Sequence, residues 1–153
     1  MKQSDLGRSL LMGLLALTLV ACSSKPSDVD RRGMESSGGK LDGPVVGQRW
    51  NLLLVGTDER LSMPTTPHFV IAPDGRVTGH DGCNTVNGKV QLDDGNRIQF
   101  RELATTKMGC PQLDDARRVT TMMETAYRYL IDHDRLVFFG PDQRVLGGWR
   151  KAN

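Results

Sequence analysis

From Gly47 onward, glycine, proline and aspartate clusters cut this chain into short apolar pieces, and that spacing restricts the fold to brief strands joined by tight turns. Arg49 to Val55 carries Trp50 and three leucines between Gly47 and Gly56, the composition of a largely buried strand. His68 to Ala72 and Arg76 to Thr78 flank Pro73-Asp74-Gly75, where proline presets one turn angle and glycine tolerates the left-handed one. Lys89 to Leu92 and Arg97 to Leu103 flank Asp93-Asp94-Gly95-Asn96. In the second arm Ile98, Phe100 and, by spacing, Glu102 share one face. Arg135 to Phe139 and Arg144 to Trp149 read as a closing hairpin around Gly140-Pro141-Asp142.

One stretch departs from this period. Ala116, Val119, Met122, Met123, Ala126 and Leu130 recur at steps of three and four, which places them on one face of a helix. Asp114 or Asp115 supplies the N-cap, and the expected span is about 114–132. The expected class is α+β: an antiparallel, strongly curved or open-barrel-like sheet with this one amphipathic helix packed on it.

The N-terminus carries a different signal. Lys2 and Arg8 precede an apolar run from Leu10 to Val20, followed by Ala21, Cys22 and the polar residues Ser23, Ser24 and Lys25. A membrane span needs about 20 apolar residues, and this run is too short. It reads as a secretory signal over residues 1–21. The pattern Leu19-Val20-Ala21-Cys22 resembles the bacterial lipobox, which implies that Cys22 becomes a lipidated N-terminus. Two or three acyl chains on one residue hold permanently, whereas one binds reversibly. Ser23 in place of aspartate is similar to the outer-membrane sorting signal of enteric bacteria, so the expected location is the periplasmic face of the outer membrane. Residues 22–43 lack apolar periodicity and read as a flexible tether, with a mean reach of roughly 25 Å and a taut limit near 70 Å. Residues 44–153 form the globular domain.

Removing Lys2, Asp5 and Arg8 with the leader reduces 20 basic and 18 acidic residues to 18 and 17, a net charge of +1. No basic stripe stands out, so nucleic acid is not an expected partner. With Cys22 assigned to lipid, Cys83 and Cys110 remain as an even pair in a compartment that permits oxidation, and a disulfide is expected, with two free thiols as the alternative.

The most distinctive stretches are Gly79-His80-Asp81-Gly82-Cys83-Asn84 with Gly88 after it, and Leu103-Ala104-Thr105-Thr106-Lys107-Met108-Gly109-Cys110-Pro111 before the helix. The glycine-cysteine-asparagine turn, the later glycine and the threonine-x-methionine-x-cysteine segment resemble the META domain of heat-inducible HslJ-like lipoproteins, over roughly residues 45–150. Gly109 departs from the alanine that relatives often carry. The resemblance implies a compact α+β domain in the envelope, associated with stress, antibiotic tolerance or motility and without established catalysis. On this reading Gly82, Asn84, Gly88, Thr106 and Met108 form a structural motif. Gly82 and Gly88 would need positive φ or close approach, and Asn84 would close a turn through its amide.

The same residues offer catalytic alternatives. Cys83 near His80 and Asp81 has the makings of an activated thiol, but Cys110 makes a disulfide the better expectation. Cys83, Cys110, His80 and His133 offer zinc donors without the short ligand spacing of zinc sites. Asp93, Asp94 and Asn96 lack the final glutamate of a calcium loop. Asp58, Glu59 and Asp74 read as solvent-facing rather than as a glycosidase pair. No catalytic residue, metal or cofactor is therefore expected. The expectation is a non-enzymatic, envelope-anchored binding protein, held to the membrane through Cys22, with a periplasmic protein, peptidoglycan or a small molecule as partner. The alternatives are a small anchored hydrolase or inhibitor acting through the 79–84 turn, or a tethered peptidoglycan or protein adaptor.

Overall fold

The computed structural model describes residues 43–153. The leader, Cys22 and the tether up to residue 42 lie outside the described residues. Eight strands and one helix follow in the order β1 Arg49–Val55, β2 His68–Ile71, β3 Arg76–His80, β4 Thr85–Asp93, β5 Arg97–Thr105, α1 Leu113–Thr125, β6 Arg128–Asp132, β7 Arg135–Phe139 and β8 Val145–Lys151. Each strand pairs antiparallel with the next, and β8 pairs back onto β1. The ring of pairings is therefore closed rather than open. Its narrowest join is between β5 and β6, where Arg97 and Arg128 are the one register pair.

Alternation along the strands directs the core inward. Val86 and Val90 of β4, Ile98 and Phe100 of β5, and Leu136 and Phe138 of β7 are buried, with exposed or half-buried neighbours between them. Phe69 meets Phe100, Phe138 and Trp149 with ring centroids 5.8, 5.9 and 4.8 Å apart. Ahead of β1, Val45 is fully buried and its carbonyl accepts the Trp50 Nε1–H at 3.1 Å. Ala116, Val119, Met122 and Met123 form the buried face of α1, and the last three belong to the same core cluster.

Four sequence expectations need correction. The helix ends at Thr125, not near 132, and Arg128–Asp132 is strand β6. Tyr127 to Ile131 alternates exposure at period two, the Tyr127 N–H bonds the Phe139 carbonyl, and Leu130 is 50% exposed instead of lying on a buried helix face. Neither Asp114 nor Asp115 is the N-cap: Gln112 holds that position without a side-chain bond, and the two aspartates lie in the first turn. Glu102 does not continue the inward face of Ile98 and Phe100. Between Lys89↔Arg101 and Asn87↔Ala104, both Glu102 and Leu103 stand opposite Gly88, and Glu102 takes φ +54° at this bulge. Fourth, Asn84 does not close its own turn through its amide; it fastens a distant segment, as described next.

Candidate functional site

The two motif stretches meet at the end of the sheet where β3 turns into β4. Asp81, not Asn84, makes the turn: its Oδ1 accepts the N–H groups of Cys83 at 2.8 Å and Asn84 at 2.5 Å, while the Asp81 N–H bonds the Asn84 carbonyl at 2.9 Å. Asp81 is 3% exposed, so this carboxylate is a buried fastener. Gly82 sits within the turn at φ +102°, and its N–H donates to His80 Nδ1 at 3.0 Å. That bond occupies the Nδ1 lone pair of His80. The ring of His80 lies 6.2 Å from that of His68 on the neighbouring strand and nearly parallel to it.

The turn then grips the chain after β5. Asn84, also 3% exposed, accepts the Met108 N–H at 2.7 Å and the Thr106 hydroxyl at 3.1 Å through Oδ1. Thr85 and Thr106 add two further bonds, Thr85 N–H to Thr106 Oγ1 at 3.2 Å and Thr106 N–H to the Thr85 carbonyl at 3.1 Å. Cys83 and Cys110 are joined as a disulfide across 27 residues. The bonded pair offers no thiolate. Gly88 contributes by close approach and not by φ: a Cβ there would meet Leu103 Cδ2 at 2.6 Å and the Arg101 carbonyl at 3.0 Å, opposite the bulge.

The gripped segment forms one wall of a groove of about 420 Å³, with α1 as the other. Thr105 to Gly109 line the first wall, Leu113, Arg117 and Thr120 the second, and Asp81 and Asn84 the floor. Met108 is 65% exposed although its backbone is held, so the motif methionine is a surface group and not a core one. Two other hollows differ in chemistry. One of about 430 Å³ around Gly88 is lined by two ion pairs that neutralise each other, Arg76–Asp74 at 2.7 Å and Lys89–Glu102 at 2.8 Å. Another, of about 280 Å³ beside the β5–β6 join, holds Arg97 over the Tyr127 ring and next to Asp93 and Glu124.

The remaining candidates of the sequence are placed apart. Glu59 pairs with Arg118, which keeps its carboxyl below the usual range, and Asp74 pairs with Arg76 with the same effect. Neither faces the other across a shared cleft lining. Among the described residues no group of three or more His, Cys, Asp and Glu side chains converges to hold a metal ion, and no helix is long and apolar enough to cross a membrane. Sequence reasoning missed Asp81 as the turn keystone, which the Asp-Gly-x-Asn pattern could have signalled. It also missed Lys107 and Arg117 as groove residues, for which no local signal exists.

The sequence profile of the META domain matches residues 43–153, covering both gripped stretches and the groove. The chain belongs to the META domain family. The META fold is similar to solved structures of low sequence identity. One is a protein from Burkholderia xenovorans solved by NMR, with a TM-score of 0.55 and 15% identity over 74% of this chain and 94% of that one. Another is the crystal structure of a DUF4847 family protein from Bacteroides vulgatus, with a TM-score of 0.52 and 13% identity over 69% and 93%. A third structure, solved by NMR, gives a TM-score of 0.53 and 20% identity over 67% and 87%. Comparison with curated protein sequences gives no match.

Proposed function

We propose that this META domain protein is a non-enzymatic envelope lipoprotein, anchored through Cys22, whose groove binds a periplasmic ligand and so contributes to envelope stress or antibiotic tolerance. The observation that carries the binding role is the gripped segment: Asn84 and the Cys83–Cys110 disulfide hold a chain that leaves Lys107 and Met108 exposed along a groove. Holding the backbone of the segment in place before contact lowers the entropy lost on binding. The anchor and the periplasmic setting rest on the lipobox resemblance.

The test replaces Met108 by a photo-crosslinking amino acid in intact cells. A discrete adduct is expected from position 108 and not from Gln91, which is exposed on β4. Absence of an adduct, or the same adducts from both positions, overturns the groove reading. Mass spectrometry of the N-terminal peptide should find an acylated Cys22, and Cys22→Ser should release the protein from the membrane fraction. A strain lacking the protein that tolerates envelope stress and antibiotics like its parent removes the physiological role.

A further inference from the structure

Two cations, Lys107 and Arg117, and one carboxylate, Asp81, line the groove. Lys107 and Arg117 reach it from different elements, the segment after β5 and the first turns of α1. Among the described residues Lys107 makes no ion pair, whereas Lys89, Arg76, Arg118, Arg144 and Arg150 each do. Arg117 reaches only Asp114, at 3.5 Å, and that carboxylate is 97% exposed, so water screens the pair. Asp115 is engaged by Arg118 at 3.1 Å. The carboxylate in the floor, Asp81, is buried and directs Oδ1 to two backbone N–H groups.

Resting on the reading of this groove as the binding surface, we infer that its ligand is a small molecule or short peptide end bearing an oxyanion. The carboxylate or phosphate lies between Lys107 and Arg117, and the apolar part of the ligand lies against Met108. Two cations from different elements select charge, with Arg117 able to give two parallel N–H bonds to one oxyanion. The exposed thioether adapts to varied apolar shapes. The volume falls within the range of about 300–1,000 Å³ typical of small-molecule sites.

Amide-resolved NMR titration of the full chain in neutral detergent, at matched ionic strength, tests this with three probes: an N-acetylated tripeptide with a free C-terminal carboxylate, the same peptide amidated, and inorganic phosphate. The acid peptide should shift the amides of Thr106, Lys107, Gly109 and Arg117, and the amidated peptide should bind at least tenfold more weakly. Phosphate moving the same amides would identify phosphate as a competent source of the oxyanion; movement by the acid peptide alone would assign the carboxylate. Lys107→Gln and Arg117→Gln, both at exposed positions, should each weaken binding fivefold or more without changing the melting temperature. Equal affinity for the acid and amidated peptides, an unaffected Lys107→Gln/Arg117→Gln double variant, or no shift at these amides with either oxyanion overturns the inference. If crosslinks from position 108 persist in cells despite such a result, the groove still binds and only the charge of its ligand has been misassigned.

Discussion

Replacing Asn84 by alanine tests the grip on the 105–110 segment directly. Asn84 Oδ1 accepts the Met108 N–H at 2.7 Å and the Thr106 hydroxyl at 3.1 Å, and Asn84→Ala removes both bonds at once. The Met108 N–H is part-buried and cannot swing elsewhere, so its loss costs about 1–3 kcal/mol, the usual penalty of a stranded donor. Thr106 is exposed and its hydroxyl can turn to water, so it loses only a net bond of about 0.5–1.5 kcal/mol. The sum is about 1.5–4.5 kcal/mol. At about 4 °C per kcal/mol for a domain of this size, the melting temperature should fall by roughly 6–18 °C. Calorimetry on the full chain gives that number, and hydrogen exchange at the Met108 amide gives the local effect. Thr106→Val, which keeps Asn84 and the Met108 bond but also removes the acceptor of the exposed Thr85 N–H, should cost less than Asn84→Ala. A melting temperature within about 3 °C of the parent, with Met108 as protected as before, would refute the argument that Asn84 supplies this grip.

Breaking the disulfide with Cys83→Ser/Cys110→Ser should destabilise the fold by about 3.5 kcal/mol in the chain-entropy model for a 27-residue separation, read as a lower urea midpoint; an unchanged midpoint contradicts it. Gly147→Ala should cost about 1–3 kcal/mol or more, because the new Cβ meets the Leu54 carbonyl at 2.6 Å and also collides with the Met122 sulfur of α1; a parent-like melting temperature would mean the helix is not seated on β8. Leu130→Ala should cost below about 1 kcal/mol and Leu136→Ala about 2–5, because Leu130 is half-exposed on β6 while Leu136 is fully buried; the reverse order would restore Leu130 to a helix face. Burial, aided by the charge of Arg49 and opposed by the bond to the Thr66 carbonyl, holds His68 below its ordinary pKa. The folded state then binds fewer protons than the unfolded chain, so the contribution is complete above pH of about 6.5 and is lost as pH falls toward the folded value. Urea midpoints at neutral and mildly acidic pH should diverge less in His68→Gln than in the parent, and equal divergence sinks the claim.

The strands were legible because their boundaries are written locally. Gly47 and Gly56 bracket β1, Pro73-Asp74-Gly75 separates β2 from β3, and the expected bounds of β1 and β7 coincide with those observed. The helix overran because Ala126 and Leu130 continue its three-and-four spacing by coincidence. The competing two-residue alternation from Tyr127 to Ile131 prevails once the Phe139 and Asn96 carbonyls are available as partners, and those are tertiary facts. The bulge at Glu102 was invisible for the same reason, since it exists only opposite Gly88 on another strand. The cysteine pair could be inferred from counting and compartment. The bond between Asn84 and Met108 spans 24 residues, and the placing of Arg117 on the same groove as Lys107 depends on how α1 packs, so neither leaves a mark in local sequence.

The residues that look reactive on paper are consumed as fasteners, and this bears on what kind of site the META motif makes. Cys83 is spent in the disulfide, His80 Nδ1 takes the Gly82 N–H, and Asp81 Oδ1 takes two more N–H groups. A general base must keep a lone pair for the substrate proton, and a thiol nucleophile must be free to ionise. The same arrangement explains why the fasteners are covalent and polar. Thr105, Thr106, Lys107, Met108 and Gly109 are all exposed, so hydrophobic burial cannot order them, and fixing each backbone costs about 1–2 kcal/mol. Order in such a segment has to come from groups that do not remove it from solvent, namely a bridge at Cys110 and a buried amide at Asn84. The surface left free by that arrangement consists of an ammonium, a thioether and a guanidinium, groups suited to recognising a ligand.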